Sequence, residues 1–457
     1  MIAARCSATL RPVYIGFPDR DTRAVSGLSA RSCDGNELGA RGGDVASRTG
    51  LLLAGTPSEI NFHVDWCDEM PPTGRVGATL TVGVAVVAAI AVAAHAQGGR
   101  DRTVPKPSTL PNPYRLVPDW PTLPATMKGP NRHKWGEVIR VHVAANGNIW
   151  VFHRCFSDKP HGDATCLNRG DANPPILEFN PAGRLLKRFG VGLFAHPHGF
   201  TLDQNGNIWT TDTNDQETIL GMPAKNAKGV TMGQQVLKIS STGTVLMTIG
   251  TAGVGGNGPY TFDRPTGVAI AANGDIFVAD GHSPNKSNSA RVVKYSPDGT
   301  FMKTWGRMGS EPGNFREPHD IYVGGSKGYV YVADRQNNRI QVFDQDGNFV
   351  AAWKQFGQPS SVYVDKRDNI YVGATYQDAS RGQSVMGPTT DANDRAIVIG
   401  NAITGELKYL IPDPGDLSKM TDTGTSASGI AADDQGNIYV ADVGLNNLRK
   451  YVKVESP

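Results

Sequence analysis

The chain has 457 residues, including 54 glycines and 30 prolines, a density of turn formers that excludes a helical bundle. Hydrophobic residues make up 39% and charged residues 19%, which excludes a disordered chain and a multi-span membrane protein. Lys plus Arg number 45 against 43 Asp plus Glu, and a net charge of +2 gives no electrostatic basis for nucleic-acid binding.

Residues 1–69 show no sustained apolar period and are scattered with Arg, Gly and Ser, so they read as disordered or as an upstream extension of the reading frame. Residues 70–96 read as a secretory signal peptide. Met70 and Arg75 precede an apolar run over 76–94, and Ala94-His95-Ala96 forms a small-residue cleavage site before Gln97. If the run stays uncleaved, it is long enough to be a single membrane anchor. The expected location is therefore secreted or periplasmic, or membrane-anchored with the remainder exported. Cys6, Cys33 and Cys67 fall before the cleavage site, leaving Cys155 and Cys166. Outside the cytoplasm this pair is expected as a disulfide, with free thiols or metal ligands as alternatives. Residues 97–113 read as a linker.

From about residue 135 one pattern recurs: an apolar alternation, an Asn/Gly/Asp turn, a short apolar strand and often a closing Asp. The copies are 141–154 (VHVAANGNIWVFHR), 198–212 (HGFTLDQNGNIWTTD), 266–280 (TGVAIAANGDIFVAD), 319–334 (HDIYVGGSKGYVYVAD), 360–374 (SSVYVDKRDNIYVGA) and 428–442 (SGIAADDQGNIYVAD). Each predicts a β-hairpin whose turn needs positive φ. A second hairpin follows most copies, as in 236–250 (VLKISSTGTVLMTIG) and 291–306 (RVVKYSPDGTFMKTWG). Two hairpins make a four-stranded antiparallel sheet, and six such sheets predict an all-β, six-bladed propeller over 114–457. The last copy has only a third strand, 448–454, so a strand within 114–121 is expected to complete it and close the ring. The closing Asp212, Asp280, Asp334 and Asp442 are expected to bond turn amides. Trp150, Trp209, Trp305 and Trp353 are expected to pack between blades.

On a repetitive scaffold, function belongs where the copies differ. At the first position of the inner strand, His198 and His319 stand where other copies have Ile139, Thr266, Ser360 and Ser428. Just after the closing position, Arg154 and Arg335 stand where others have Thr213, Gly281, Thr375 and Val443. In an antiparallel hairpin the start of one strand lies beside the end of the next, so these residues and the nearby His282 are expected at one mouth of the axial channel. Imidazoles there suit a metal and guanidiniums suit a carboxylate. A calcium-dependent lactonase-type propeller would need converging carboxylates, and no Glu is expected at this mouth.

The blades resemble NHL-type repeats, and the constellation resembles peptidyl-α-hydroxyglycine α-amidating lyase. The stretches that carry the likeness are VFHR (151–154), PHGFTLDQNGNIWTTD (197–212), RPTGVAI (264–270), EPHDIY (317–322) and the run VADRQNNRIQVF ending at 343. The resemblance implies zinc bound by His198 and His319, Arg154 and Arg335 in the substrate site, and a structural calcium on the axis. The sequence departs from the family at three points. Ser428 stands where the third zinc His falls, Gly429 replaces a calcium-ligating Asp, and His282 takes the place of the catalytic Tyr. His282 is thus a third metal ligand, a general base, or a loop residue. The function implied is an exported metal-dependent enzyme acting on a small carboxylate-bearing or peptide-terminal substrate. The alternative is a non-catalytic propeller that binds a ligand or protein partner.

Overall fold

The computed structural model describes residues 110–454, except for 125–126, 128–134, 156–165, 167–172, 214–223, 283–288, 376–394 and 413–426. It also describes an antiparallel pair of strands, Arg11–Ile15 and Arg23–Gly27. Residues 1–98 form one unit and residues 99–457 another. Apart from those two strands, the region before residue 110, with the expected signal segment, lies outside the described residues. Among the described residues no helix is long and apolar enough to cross a membrane.

The second unit carries six four-stranded antiparallel sheets. Blade one starts with the inner strand Val138–Val143 and blade two with Pro197–Leu202. Blades three and four start with Pro265–Ile270 and Pro318–Gly324, and blades five and six with Gln358–Val364 and Gly429–Ala432. Each inner strand contacts the next, and that of blade six contacts that of blade one, so the ring is closed. The closing strand is Tyr114–Val117, which pairs antiparallel with Asn447–Lys453 in the register Lys453↔Tyr114 to Lys450↔Val117. Just ahead of it, Val454 N–H donates to the Pro113 carbonyl and Leu110 packs against blade five, so the chain from residue 110 onward is docked on the propeller.

Turn chemistry explains why the repeat folds this way. In blade two the Asp203 carboxylate accepts from the backbone N–H groups of Asn205 and Asn207, and from the Asn207 amide and the Trp209 indole. Asp365 and Asp433 do the same in blades five and six, each with a tyrosine hydroxyl in place of the indole. One carboxylate thus fixes the turn and anchors an aromatic ring. The turn needs a residue at positive φ, which is Gly206 at 74°; in blade five Asp368 takes that place at 57°.

Apolar residues gather in the six seams between neighbouring blades rather than in one central core. The four tryptophans sit in successive seams: Trp150 between blades one and two, Trp209 between two and three, Trp305 between three and four, and Trp353 between four and five. Fully burying a large side chain stabilises by ~1.5–3 kcal/mol, so each seam is a substantial contributor. The closing aspartates bond turn amides as expected. Asp212 accepts from Ala195 and His196 N–H, Asp280 from Asp263, Asp334 from Arg316 and Asp442 from Leu445. Cys155 and Cys166 form a disulfide.

Candidate metal centre on the propeller axis

The starts of five of the six inner strands carry an irregularity that re-aims side chains. In blades one, three, four and five a β-bulge skips one residue, namely Ile139, Thr266, His319 and Ser360. In blade two the irregularity spans His198 and Gly199. A bulged residue has no ladder partner and its side chain is re-aimed, a device common beside active sites. Alternation along the strand alone therefore does not determine where these residues point.

His198 and His319 meet on the axis with His282. Ring centroids are 4.9 Å apart for His198 and His282, 4.9 Å for His198 and His319, and 5.3 Å for His282 and His319. One ring nitrogen from each lies within 4.8 Å of the other two, and all three residues are buried or nearly so. The chain reaches this point at His282 because Gly281 adopts φ 129°; a Cβ there would come within 2.2 Å of the Ser289 carbonyl. His282 N–H donates to the Arg264 carbonyl, which holds the turn.

Two of the rings are oriented in the same way. His198 Nδ1 bonds the Thr266 carbonyl at 2.6 Å, and His319 Nδ1 bonds the Ser360 carbonyl at 2.7 Å. A carbonyl only accepts, so Nδ1 carries the proton in both and Nε2 is left with its lone pair. His198 Nε2 is buried and has no hydrogen-bond partner among the described residues. Burial, reinforced by the neighbouring imidazoles and guanidiniums, holds both rings neutral well below the ordinary histidine range. Neutral imidazoles with locked tautomers and converging lone pairs are what a zinc-type ion requires, and a carbonyl on the second ring nitrogen is the usual support. The donor set therefore fits a divalent transition metal held by His198, His282 and His319.

Arg154 and Arg335 are brought to the same region, but neither is bare. Arg154 donates from Nη1 to Glu137 Oε2 at 2.5 Å and from Nε to the Pro197 carbonyl at 3.2 Å. Arg335 grips Glu317 with two bonds, Nε to Oε2 at 3.0 Å and Nη2 to Oε1 at 3.1 Å. Glu317 is fully buried, and its Oε1 lies 3.8 Å from His282 Nε2. The expectation of a mouth without Glu is thus corrected: Glu137 and Glu317 each stand just before an inner strand and neutralise the arginine of the same blade. These carboxylates had a readable signal, since both occupy the same position relative to their strands.

Arg140 is a further residue that the motif reading missed. Its guanidinium lies among backbone carbonyls of several blades and beside Asp320. Calcium, which the resemblance implies on the axis, does not fit oxygens already bonded to a guanidinium.

A closed six-bladed propeller with a histidine cluster on its axis defines the class of this protein. The NHL repeat family matches residues 194–217, 262–295 and 315–343, which include all three histidines. The human NHL repeat-containing protein 3 is 31% identical over 300 residues, covering 63% of this chain and 75% of that one. This chain belongs to the NHL-repeat propeller family. Peptidyl-glycine alpha-amidating monooxygenase B of Xenopus laevis is 30% identical over 335 residues, 70% of this chain and 34% of that protein. Peptidyl-alpha-hydroxyglycine alpha-amidating lyase 1 of Drosophila melanogaster is 27% identical over 384 residues, 77% of this chain and 62% of that protein. The chain thus spans about a third of the frog relative and under two thirds of the fly one.

Proposed function

We propose that this protein is an exported, zinc-dependent propeller enzyme with amidating-lyase-like chemistry, acting on a small or peptide-terminal carboxylate-bearing substrate. The observation that carries this is the cluster of His198, His282 and His319, with the Nε2 of His198 buried and without a hydrogen-bond partner among the described residues. The relatives supply the reaction class. His282 has the role of third ligand, because its ring is as close to each of the other two as they are to one another within half an ångström. It offsets the loss of a histidine at Ser428. The Cys155–Cys166 disulfide supports placement in an oxidising compartment.

A bound zinc ion supplies Lewis-acid polarisation of a substrate oxygen. The chain's own groups do the rest. His198 and His319, locked by Thr266 and Ser360, hold the site in register. Arg154 and Arg335 present fixed positive charge for a carboxylate, with Glu137 and Glu317 keeping each guanidinium in place. In lyase chemistry on a C-terminal α-hydroxyglycine, the C–N bond breaks, the hydroxyl proton is lost, and the amide nitrogen gains a proton. The products are a peptide amide and glyoxylate.

The Arg–Glu pairing also favours a second reading. Guanidiniums already neutralised bind a carboxylate more weakly, which suits a non-catalytic propeller that binds a ligand or a protein partner. One experiment separates the two. Purified full chain is assayed for metal, loaded with zinc, and mixed with an N-acylated α-hydroxyglycine. Lyase chemistry predicts glyoxylate from wild type and none from His198→Ala. Zinc bound with no glyoxylate above that variant rejects the lyase reading, and absence of zinc affinity rejects the metal site itself.

A further inference from the structure

Arg140 sits in the first inner strand at the position where the other blades carry Gly199, Gly267, Asp320, Ser361 and Gly429. Small residues prevail there because the blades approach closely. A Cβ on Gly429 would meet the Arg140 Cα at 2.6 Å, and one on Gly199 would meet the Gly267 Cα at 2.8 Å. A long cationic side chain at this point has one direction open to it, along the axis.

The guanidinium is buried, with Arg140 only 3% exposed. Nη1 donates to the Ile139 carbonyl at 2.9 Å and to the Ser428 carbonyl. Nη2 donates to the His319 carbonyl at 2.9 Å and the Thr266 carbonyl at 3.4 Å, and lies 3.4 Å from Asp320 Oδ1. These oxygens come from blades one, six, four and three. Four carbonyls and a carboxylate converging from around a ring form an oxygen cage of the kind a hard divalent cation takes. Here the two terminal nitrogens of a planar guanidinium satisfy it instead, while its buried Nε has no hydrogen-bond partner among the described residues. The Thr266 carbonyl is shared with His198 Nδ1, and the His319 carbonyl belongs to the second histidine, so the same network reaches the metal centre.

We infer that Arg140 is a built-in axial cation. Its guanidinium occupies the oxygen cage at the centre of the ring, closes the channel there, and makes the propeller independent of calcium. This stands whether or not the histidines carry zinc.

The test is thermal unfolding of calcium-depleted full chain with and without about 10 mM calcium, roughly tenfold above the Kd of weak protein sites. Wild type is expected to show no calcium shift. Arg140→Gly empties the cage while leaving its oxygens, so its Tm is expected to fall by ~5 °C or more. Calcium should then restore at least half of the loss. A wild-type Tm that rises with calcium as much as the variant's does would overturn the inference. So would an Arg140→Gly protein that is as stable as wild type, or one that is weakened but blind to calcium. If Arg140→Gly yields no folded protein, Arg140→Met takes its place, filling the volume without charge. It should melt lower than wild type with no calcium response, and an unchanged Tm would reject a role for the charge.

Discussion

Blades two and four begin alike and are braced differently. Each opens with Pro-His on a bulge, and each histidine donates Nδ1 to a carbonyl of the next blade, Thr266 or Ser360. Around that shared core the charges diverge. Blade four pairs Glu317 with Arg335, Asp334 with Arg339, and Asp320 with Arg140. Blade two has His196, Gln235 and Gly199 at the positions of Glu317, Arg339 and Asp320. Its closing Asp212 is bonded by backbone N–H groups of Ala195, His196 and Gly233, with no guanidinium among its partners in the described residues. The scaffold decides where a side chain points, and the local partner decides what charge it can hold there. Burial pushes Asp212 up to about 7, whereas Asp280 in blade three, equally buried but paired with Arg291, reaches about 6.

The largest expected effect breaks the bracing of blade four. Arg339→Met removes the guanidinium from the fully buried Asp334 carboxylate, which keeps only neutral donors from Arg316 N–H, Asn337 and Gln341, and loss of one partner of such a pair costs ~3–5 kcal/mol. The matching change in blade two, Gln235→Met, removes no charge partner and should cost under ~1 kcal/mol. Urea unfolding of both variants measures the difference. Equal losses would mean that the two blades are held by the same forces after all.

The next effect concerns what the two blades share. His198→Ala and His319→Ala should weaken zinc binding equally, each by more than ~100-fold, since altering even a supporting hydrogen bond costs ~10–100-fold. Competition against a chromophoric chelator reads this directly. His282→Ala should match them if it is the third ligand. A variant that keeps its zinc but loses turnover would assign His282 to proton transfer instead.

Much of this was legible in the sequence, for reasons visible in the turns. The blade count follows from a local device, an Asn/Gly/Asp turn between short apolar strands, repeated six times and readable without knowledge of the whole. The closing strand at 114–117 was legible because the last copy falls one strand short. His198, His319, Arg154 and Arg335 emerged from comparing copies in register, and His282 from its proximity to them. Arg140 escaped because its partners, Thr266, His319 and Ser428, are distant in sequence and meet only once the ring has closed. Glu317 was readable from the position it shares with Glu137, but its backbone at φ 64° just before Pro318 is not announced by a pattern of side chains. The bulges were hidden for the same reason.

The smallest effect sharpens the comparison by giving blade two the arginine it lacks. Gln235 lies directly opposite Asp212, as Arg291 lies opposite Asp280 and Arg339 opposite Asp334. Asp212 has a folded pKa of about 7 against an ordinary value of 3.8, so the folded state holds its proton more tightly. Stability from this group is therefore fully present below about 3.8 and is lost as pH rises toward about 7. Gln235→Arg should draw the folded pKa toward that of Asp280, about 6, a change of roughly one unit and hence ~1 kcal/mol. The gain should appear above pH 7 and vanish near pH 4, because below both values the carboxyl is neutral in either state. Urea unfolding at a series of pH values, wild type against Gln235→Arg, gives the readout. A gain of the same size at every pH would show that the arginine acts by packing or by other hydrogen bonds, and that Asp212 is not the group it serves.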